Sequence, residues 1–269
     1  MAEIKLKLKK THKFPLEADV ISTDVFAGKS NDEIKALELY LGNEVVQLGE
    51  FFDVTGKSGD ANELKIIIDG DVSNVKRIGE KMTAGEIEIN SDIGMHVGNQ
   101  MKGGKIIVHG DADDWAGAML KGGELIIEGN AGHYTGSAYR GFWKGMEDGI
   151  IRVKGTIGNE SMLWARNSKK ANKWPILYCG AAGSFLGIHN HGGTIIVEGD
   201  VDRCAGADQA WGTIVIKGSV SRKLPSYKKV GEVKEVELPN GEKIKGKFIE
   251  YSGDHSVKKE TNGRLYIAA

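Results

Sequence analysis

The chain has 269 residues, with 36 lysines and arginines against 37 aspartates and glutamates, a balance that lacks the excess positive charge nucleic-acid and membrane-surface binding require. No stretch approaches 18 consecutive apolar residues, the opening MAEIKLKLKK holds no apolar run, and Cys179 and Cys204 are too few for a disulfide framework. The expectation is a cytoplasmic protein with a large core, no membrane span and no nucleic-acid partner. Its 38 glycines against 4 prolines fall at fixed offsets rather than in low-complexity runs, which marks them as structural punctuation.

Residues 1–27 read as extended, because IKLKLKK alternates apolar and basic residues with period two. GKSNDEIKALELYLG, from Gly28 to Gly42, predicts a helix: Ser30 and Glu33 form a capping box, Ile34, Leu37 and Leu41 give a 3.6-residue stripe, and Gly42 is a stop. Residues 44–60 read as a short extended segment and a glycine-rich lead-in. The boundaries that follow are an N-terminal cap and docking segment (1–60), a repeat region (61–220) and a C-terminal capping tail (221–269). In the tail, Pro239-Asn240-Gly241 between two alternating segments is a hairpin signal.

The repeat region carries one thirteen-residue pattern several times. Copies begin at Gly79 (GEKMTAGEIEINS), Gly98 (GNQMKGGKIIVHG), Gly117 (GAMLKGGELIIEG), Trp143 (WKGMEDGIIRVKG), Gly187 (GIHNHGGTIIVEG) and Gly206 (GADQAWGTIVIKG), with a half-copy at Leu64 and a degenerate one at Ile176. Closing positions at 70, 91, 110, 129, 155, 180, 199 and 218 give steps mostly of 19 to 21, with the larger insertion near 158–175. A period this short, with β-branched segments bounded by glycine, predicts a mostly β protein. Its architecture would be a single-stranded right-handed parallel β-helix of about seven to eight coils, with an N-terminal extended segment plus short helix and a C-terminal hairpin-like tail. The second and fourth residues after each glycine are aliphatic (Ile87/Ile89, Ile106/Val108, Leu125/Ile127, Ile151/Val153, Ile195/Val197, Ile214/Ile216) and should stack as internal ladders. The outward position between them holds Glu88, Ile107, Ile126, Arg152, Ile196 and Val215. An apolar row on a face that should be wet calls for a cover, from the chain itself or from a partner. Ile107, Ile126, Ile196 and Val215 are therefore the candidate partner interface.

Chemistry is sparse. Thr23–Ser30 (TDVFAGKS) imitates a phosphate loop but has Thr23 where the first glycine belongs, so Ser30 reads as a helix cap. His189 and His191 are an HxH pair and the one metal candidate, without a carboxylate or cysteine cluster at ligand spacing. Cys179 and Cys204 read as buried small hydrophobes. The carboxylates are dispersed along turns as a solvated face. Trp115, Trp143, Trp164, Trp174 and Trp211 sit in the repeats and inserted loop, as interface anchors do. No catalytic constellation emerges.

The six copies quoted above, together with EADVISTDVFAGKSNDEI near the N-terminus, resemble the C subunit of formylmethanofuran dehydrogenase. The repeat is also similar to the C-terminal β-helical domain of glutamate synthase large chains; the N-terminal segment favours the dehydrogenase family. The resemblance implies a non-catalytic structural subunit of a complex of methanogenic archaea that reduces CO2 with ferredoxin electrons and forms formylmethanofuran. The cofactors it implies lie in other chains: a tungsten- or molybdenum-pterin and iron–sulfur clusters with the catalytic pterin subunit and small iron–sulfur subunits, and a dinuclear metal site in an amidohydrolase-like subunit. A variant of the family serves formyltransferase/hydrolase complexes of methylotrophic bacteria. An independent β-helical metal- or ligand-binding protein is the remaining alternative.

Overall fold

The computed structural model describes residues 2–167, 173–256 and 261–269. In chain order the N-terminal third holds β1 (Ala2–Leu8), β2 (Leu16–Glu17), α1 (Thr23–Phe26), α2 (Asn31–Lys35), β3 (Glu38–Leu41), β4 (Glu44–Gln47), α3 (Leu48–Phe51) and β5 (Phe52–Lys57). The repeats supply β6 (Leu64–Asp69), β7 (Val75–Lys76), β8 (Glu86–Ile89), β9 (Lys105–Val108), β10 (Lys121–Ile127), β11 (Asp148–Ile157), β12 (Ile176–Ala182), β13 (His191–Val197), β14 (Val201–Arg203), β15 (Trp211–Ile216) and β16 (Val220–Arg222). The tail forms β17 (Lys228–Glu237), β18 (Lys243–Ser252) and β19 (Arg264–Ala268).

The protein is mostly β around one large sheet. Its middle runs β1, β6, β8, β9, β10, β11, β12, β13, β15, β19, every neighbouring pair parallel; β5 closes one end antiparallel to β1, and β18 then β17 continue past β19. Register holds Ile87, Ile106, Leu125, Ile151, Leu177, Ile195, Ile214 and Leu265 in one row, with Ile89, Val108, Ile127, Val153, Cys179, Val197, Ile216 and Ile267 beside it. The expected ladders are thus present and extend further, to β1 at the front and β19 at the back. A second parallel line passes through Val72, Ile93, Ala112, Ala131 and Ile157.

A third line of contacts explains the first glycine of each copy. Between the sheet strands the chain makes a turn in which alternate residues are left-handed: Trp115 (φ 66°), Gly117 (φ 62°) and Met119 (φ 52°) in one repeat, His96, Gly98 and Gln100 in the one before. A left-handed non-glycine residue costs about 1–2 kcal/mol. Each is met by a bond to the next repeat, as from Trp115 N–H to His133 O (2.8 Å) and Met119 N–H to Ser137 O (3.1 Å). At Gly117 a Cβ would stand 2.6 Å from Ile151 Cδ1, inside the aliphatic core. Conformation and space both require glycine there.

The structure corrects several expectations. The helix over Gly28–Gly42 is only five residues long, Asn31–Lys35: the Ser30–Glu33 capping box forms, but Glu38–Leu41 leaves the helix and pairs with Glu44–Gln47 across Gly42 and Asn43. Leu39 is buried and Tyr40 exposed, so period-two alternation governs this segment and Gly42 turns a hairpin. The copy starting at Trp143 belongs seven residues earlier, at Gly136 (φ 70°), because an insertion separates Ala138 from Met146. Residues 158–166 keep the regular turn, with Glu160, Met162 and Trp164 left-handed, so the larger insertion starts after Arg166; its residues 168–172 lie outside those described. The Pro239-Asn240-Gly241 hairpin is present, with Gly241 at φ 84°.

The aliphatic rows are almost wholly removed from water, Leu125 and Ile127 at 0% exposure and Ile107 only half-buried. Leu125→Ala should cost about 2–5 kcal/mol of unfolding free energy and Ile107→Ala well under half of that, measured by urea denaturation of the two variants.

Candidate functional site

The apolar outer row divides in two. In register it runs Glu88, Ile107, Ile126, Arg152, Tyr178, Ile196, Val215, Tyr266. From Tyr178 onward the tail covers it: Val236, Leu238, Ile244 and Phe248 of the β17–β18 hairpin form a second core with Ile176, Ile196 and Val215, and the Tyr178 hydroxyl donates to Glu242. Ile196 and Val215 are at 0% exposure. They are therefore not a partner surface, which corrects the expectation for these two; the cover is the chain's own hairpin. The hairpin reaches that far because β19 joins the parallel sheet next to β15 and β18 folds back antiparallel on β19. Ile107 and Ile126 lie outside its reach, half-buried, between Glu88 on one side and Arg152 on the other. Arg152 is itself held by Glu124 (3.1 Å) and lies over the Tyr178 ring (4.2 Å).

One outward position further along, a charged line crosses the repeats. His109 Nε2 is 2.8 Å from Glu88 and its Nδ1 2.9 Å from Glu128; Lys154 is 2.7 Å from Glu128, and Lys65 joins Glu88 to Glu86. Glu128 and Glu88 raise the His109 imidazole above its ordinary value, while His109 and Lys154 hold Glu128 at about 2. The line ties neighbouring strands together from outside. Sequence reading missed it, although His109 and Glu128 stand one repeat apart, nineteen residues.

Turn carboxylates do similar work. Asp92 Oδ1 accepts from Asp111 N–H (2.7 Å), Asp111 Oδ1 from Asn130 N–H (2.6 Å), and Asn130 Oδ1 from Thr156 N–H (2.9 Å). These groups cap the backbone of the following repeat, so the expected solvated face is a ladder of side-chain caps. Its signal was the Asp or Asn that follows several closing positions.

Aromatic residues collect at two places on the left-handed turns. In the first, Trp115 stacks on Tyr134 (4.3 Å between centroids) and lies against Tyr139 (4.9 Å), whose hydroxyl donates to Asn99 Oδ1 (2.9 Å) and sits 3.0 Å from His96 Nδ1. Burial lowers the His96 pKa, helped by Arg77, and raises that of Tyr139 to about 12. In the second, Trp164 stacks on His189 (4.5 Å) and on His191 (5.2 Å), and His191 meets Trp211 edge-on (6.1 Å). This second place borders a cavity of about 870 Å³ whose walls include Arg166, Trp174, His191, Trp211 and Asn262.

The structure places the HxH pair at this second aromatic cluster. His189 Nδ1 lies 2.6 Å from Asp208 Oδ2, and both rings face Trp164. No three His, Cys, Asp or Glu side chains gather as metal ligands among the described residues. Burial raises the Cys179 thiol well above its usual value, whereas Cys204 is only half-buried, in a left-handed turn. These groups do not fit a pterin-bound metal or an iron–sulfur cluster, both of which call for accessible thiolates or clustered donors. The phosphate-loop imitation also lacks its geometry: α1 rather than a strand precedes Gly28, and the helix after it has five residues.

Fold and site together define a repeat-built β protein whose polar side chains are largely committed to joining one repeat to the next. No family model matches the chain. Over its whole length it is 47% identical to the C subunit of the tungsten-containing formylmethanofuran dehydrogenase 2 of Methanothermobacter thermautotrophicus, covering 97% of that protein. The corresponding protein of Methanothermobacter marburgensis is 56% identical over 98 residues, a match that spans 36% of each chain. In structure the chain is similar to one in the formyltransferase/hydrolase complex of Methylorubrum extorquens solved with methylofuran, with TM-score 0.85, 24% identity, and 98% and 99% of the two chains covered. The chain belongs to the family of formylmethanofuran dehydrogenase C subunits.

With the folded His109 pKa above the unfolded one, its contribution is complete below about pH 6.5 and is lost as pH rises through the folded value. His109→Gln should therefore lower the thermal midpoint at about pH 6 and match the wild type near pH 9, read by circular dichroism across that range.

Proposed function

We propose that this chain is a non-catalytic support subunit of a cytoplasmic formylmethanofuran dehydrogenase, the complex that reduces CO2 with ferredoxin electrons and forms formylmethanofuran. In this reading the repeats wind as coils of a right-handed parallel β-helix, and the pterin, iron–sulfur and dinuclear metal sites belong to partner subunits. The observation that carries it is the use of the reactive side chains. The carboxylates and imidazoles of the repeats bond the neighbouring repeat (Asp92, Asp111, His109, His189), and Cys179 is buried in the core. Those groups are assigned to holding a surface in shape, and 47% identity over the whole chain to a C subunit of the dehydrogenase supports that complex as the one it would serve. The half-buried Ile107 and Ile126 remain a proposed contact surface for a partner.

A place in a formyltransferase/hydrolase complex is the second reading, favoured by the similarity of fold. Native purification with metal analysis separates the two. The first reading predicts tungsten or molybdenum with iron and large partner chains. The second predicts partner chains without tungsten or molybdenum. A stable native monomer would contradict both, and stoichiometric metal on the isolated chain, lost in a His189→Ala/His191→Ala variant, would favour an independent binding protein instead.

A further inference from the structure

The insertion between Ala138 and Met146 contributes little to the fold that carries it. Residues 140–144 (Arg-Gly-Phe-Trp-Lys) are largely exposed, with Phe142 at 59% and Trp143 at 70%. At its apex Gly141 has φ 88° and no neighbour within 4 Å of where a Cβ would be. Its base, by contrast, is fixed. Tyr139 is wedged against Trp115 with its hydroxyl on Asn99, and Phe142 N–H bonds Tyr139 O (2.9 Å). Gly145 N–H bonds Trp164 O (2.9 Å), and Met146 N–H bonds Gly136 O (2.9 Å), which returns the chain to the regular turn. Single exposed apolar residues need no explanation. Two adjacent aromatic rings held outward on an anchored loop do, since leaving them in water forgoes the burial either could have in a core.

The charges at the tip indicate the kind of surface it fits. Arg140 and Lys144 flank the two rings, and neither has a carboxylate within 4 Å among the described residues. We infer that the 139–145 loop is a docking knob whose Phe142 and Trp143 enter an apolar, carboxylate-rimmed pocket on another subunit of the complex. This rests on the reading of the chain as part of a complex and names the contact by which it is held. Two aromatic side chains bury roughly 300–500 Å², against about 800 Å² on one side of a standard interface. Aromatic and arginine residues are also those most enriched among the few that dominate binding energy. Anchoring at the base removes much of the ordering entropy that a mobile loop would lose on docking.

The test is recovery of the complex from cells co-expressing the tagged chain with the other subunits, quantified by native mass spectrometry at low and high salt. Phe142→Ala/Trp143→Ala should reduce recovered complex at least tenfold, while the isolated variant keeps the wild-type unfolding midpoint; Trp143→Ala alone serves if the double variant is poorly expressed. Arg140→Glu/Lys144→Glu should also reduce recovery and remove the salt sensitivity of the wild type. Wild-type recovery by the aromatic variants overturns the inference. Undiminished recovery by the charge-reversed variant overturns the carboxylate rim, and self-association of the isolated chain abolished by the aromatic variants would assign the knob to a second copy. If the wild type brings down no partner at all, the reading as part of a complex falls first and the knob with it; if wild type and variants assemble equally, the knob alone falls.

Discussion

Everything in this molecule depends on stacking one repeat on the next in register. A single repeat of nineteen or so residues cannot bury its own aliphatic pair; Leu125 and Ile127 are shielded only because Ile106 and Val108 lie on one side and Ile151 and Val153 on the other. The same stacking supplies the backbone bonds, and those bonds make a turn with three left-handed residues tolerable. Core and turn are therefore coupled. Gly117 can approach the aliphatic row because it has no side chain, and the row can continue because the turn at Gly117 closes. A protein built this way is stabilised by nearest-neighbour terms along its length.

That dependence leaves the two ends as the places needing a special solution. At the front, β1 lies parallel on β6 and β5 antiparallel on β1, so the first repeat is covered by strands that do not share the repeat sequence. At the back, β19 completes the aliphatic rows through Leu265 and Ile267, and the β17–β18 hairpin then bends over the outer face. The hairpin thus ends the sheet and buries Ile196 and Val215 at once. An uncovered apolar row would invite association with other chains, and the hairpin removes Ile196 and Val215 from that hazard.

The parts legible in the sequence are those fixed by period. The aliphatic rows, the strand at each copy and the Pro239-Asn240-Gly241 turn follow from alternation and spacing, because a residue's neighbour in space is the residue one repeat away. Period does not say where a non-repeating segment lands. Ile196 and Val215 look like Ile107 and Ile126 because all four occupy the same repeat position; only the path of the tail, fixed by non-local pairing of β18 on β19, separates them. The segment Glu38–Leu41 misleads for a different reason: its leucines fit both a helical stripe and a strand alternation, and the turn at Gly42-Asn43 decides between them. Trp143 imitates a repeat start because the fixed spacing, counted back from Met146 and Gly149, lands inside the insertion instead of at Gly136.

Polar side chains show the limit of reading residues by type. Asp92, Asp111 and Asn130 resemble solvated turn residues when each is taken alone, and His189 with His191 resembles a ligand pair. Seen one repeat apart, Asp92 and Asp111 are successive caps, and His189 has its partner in Asp208, nineteen residues on. The useful question for such a chain is what stands one period away from each polar group. Applied throughout, it assigns many of these groups to the stack and isolates the residues that answer to no repeat. The tip of the 139–145 loop is in that class: it belongs to no ladder and pairs with no period mate, so its aromatic and cationic side chains have to be explained by something outside the repeats.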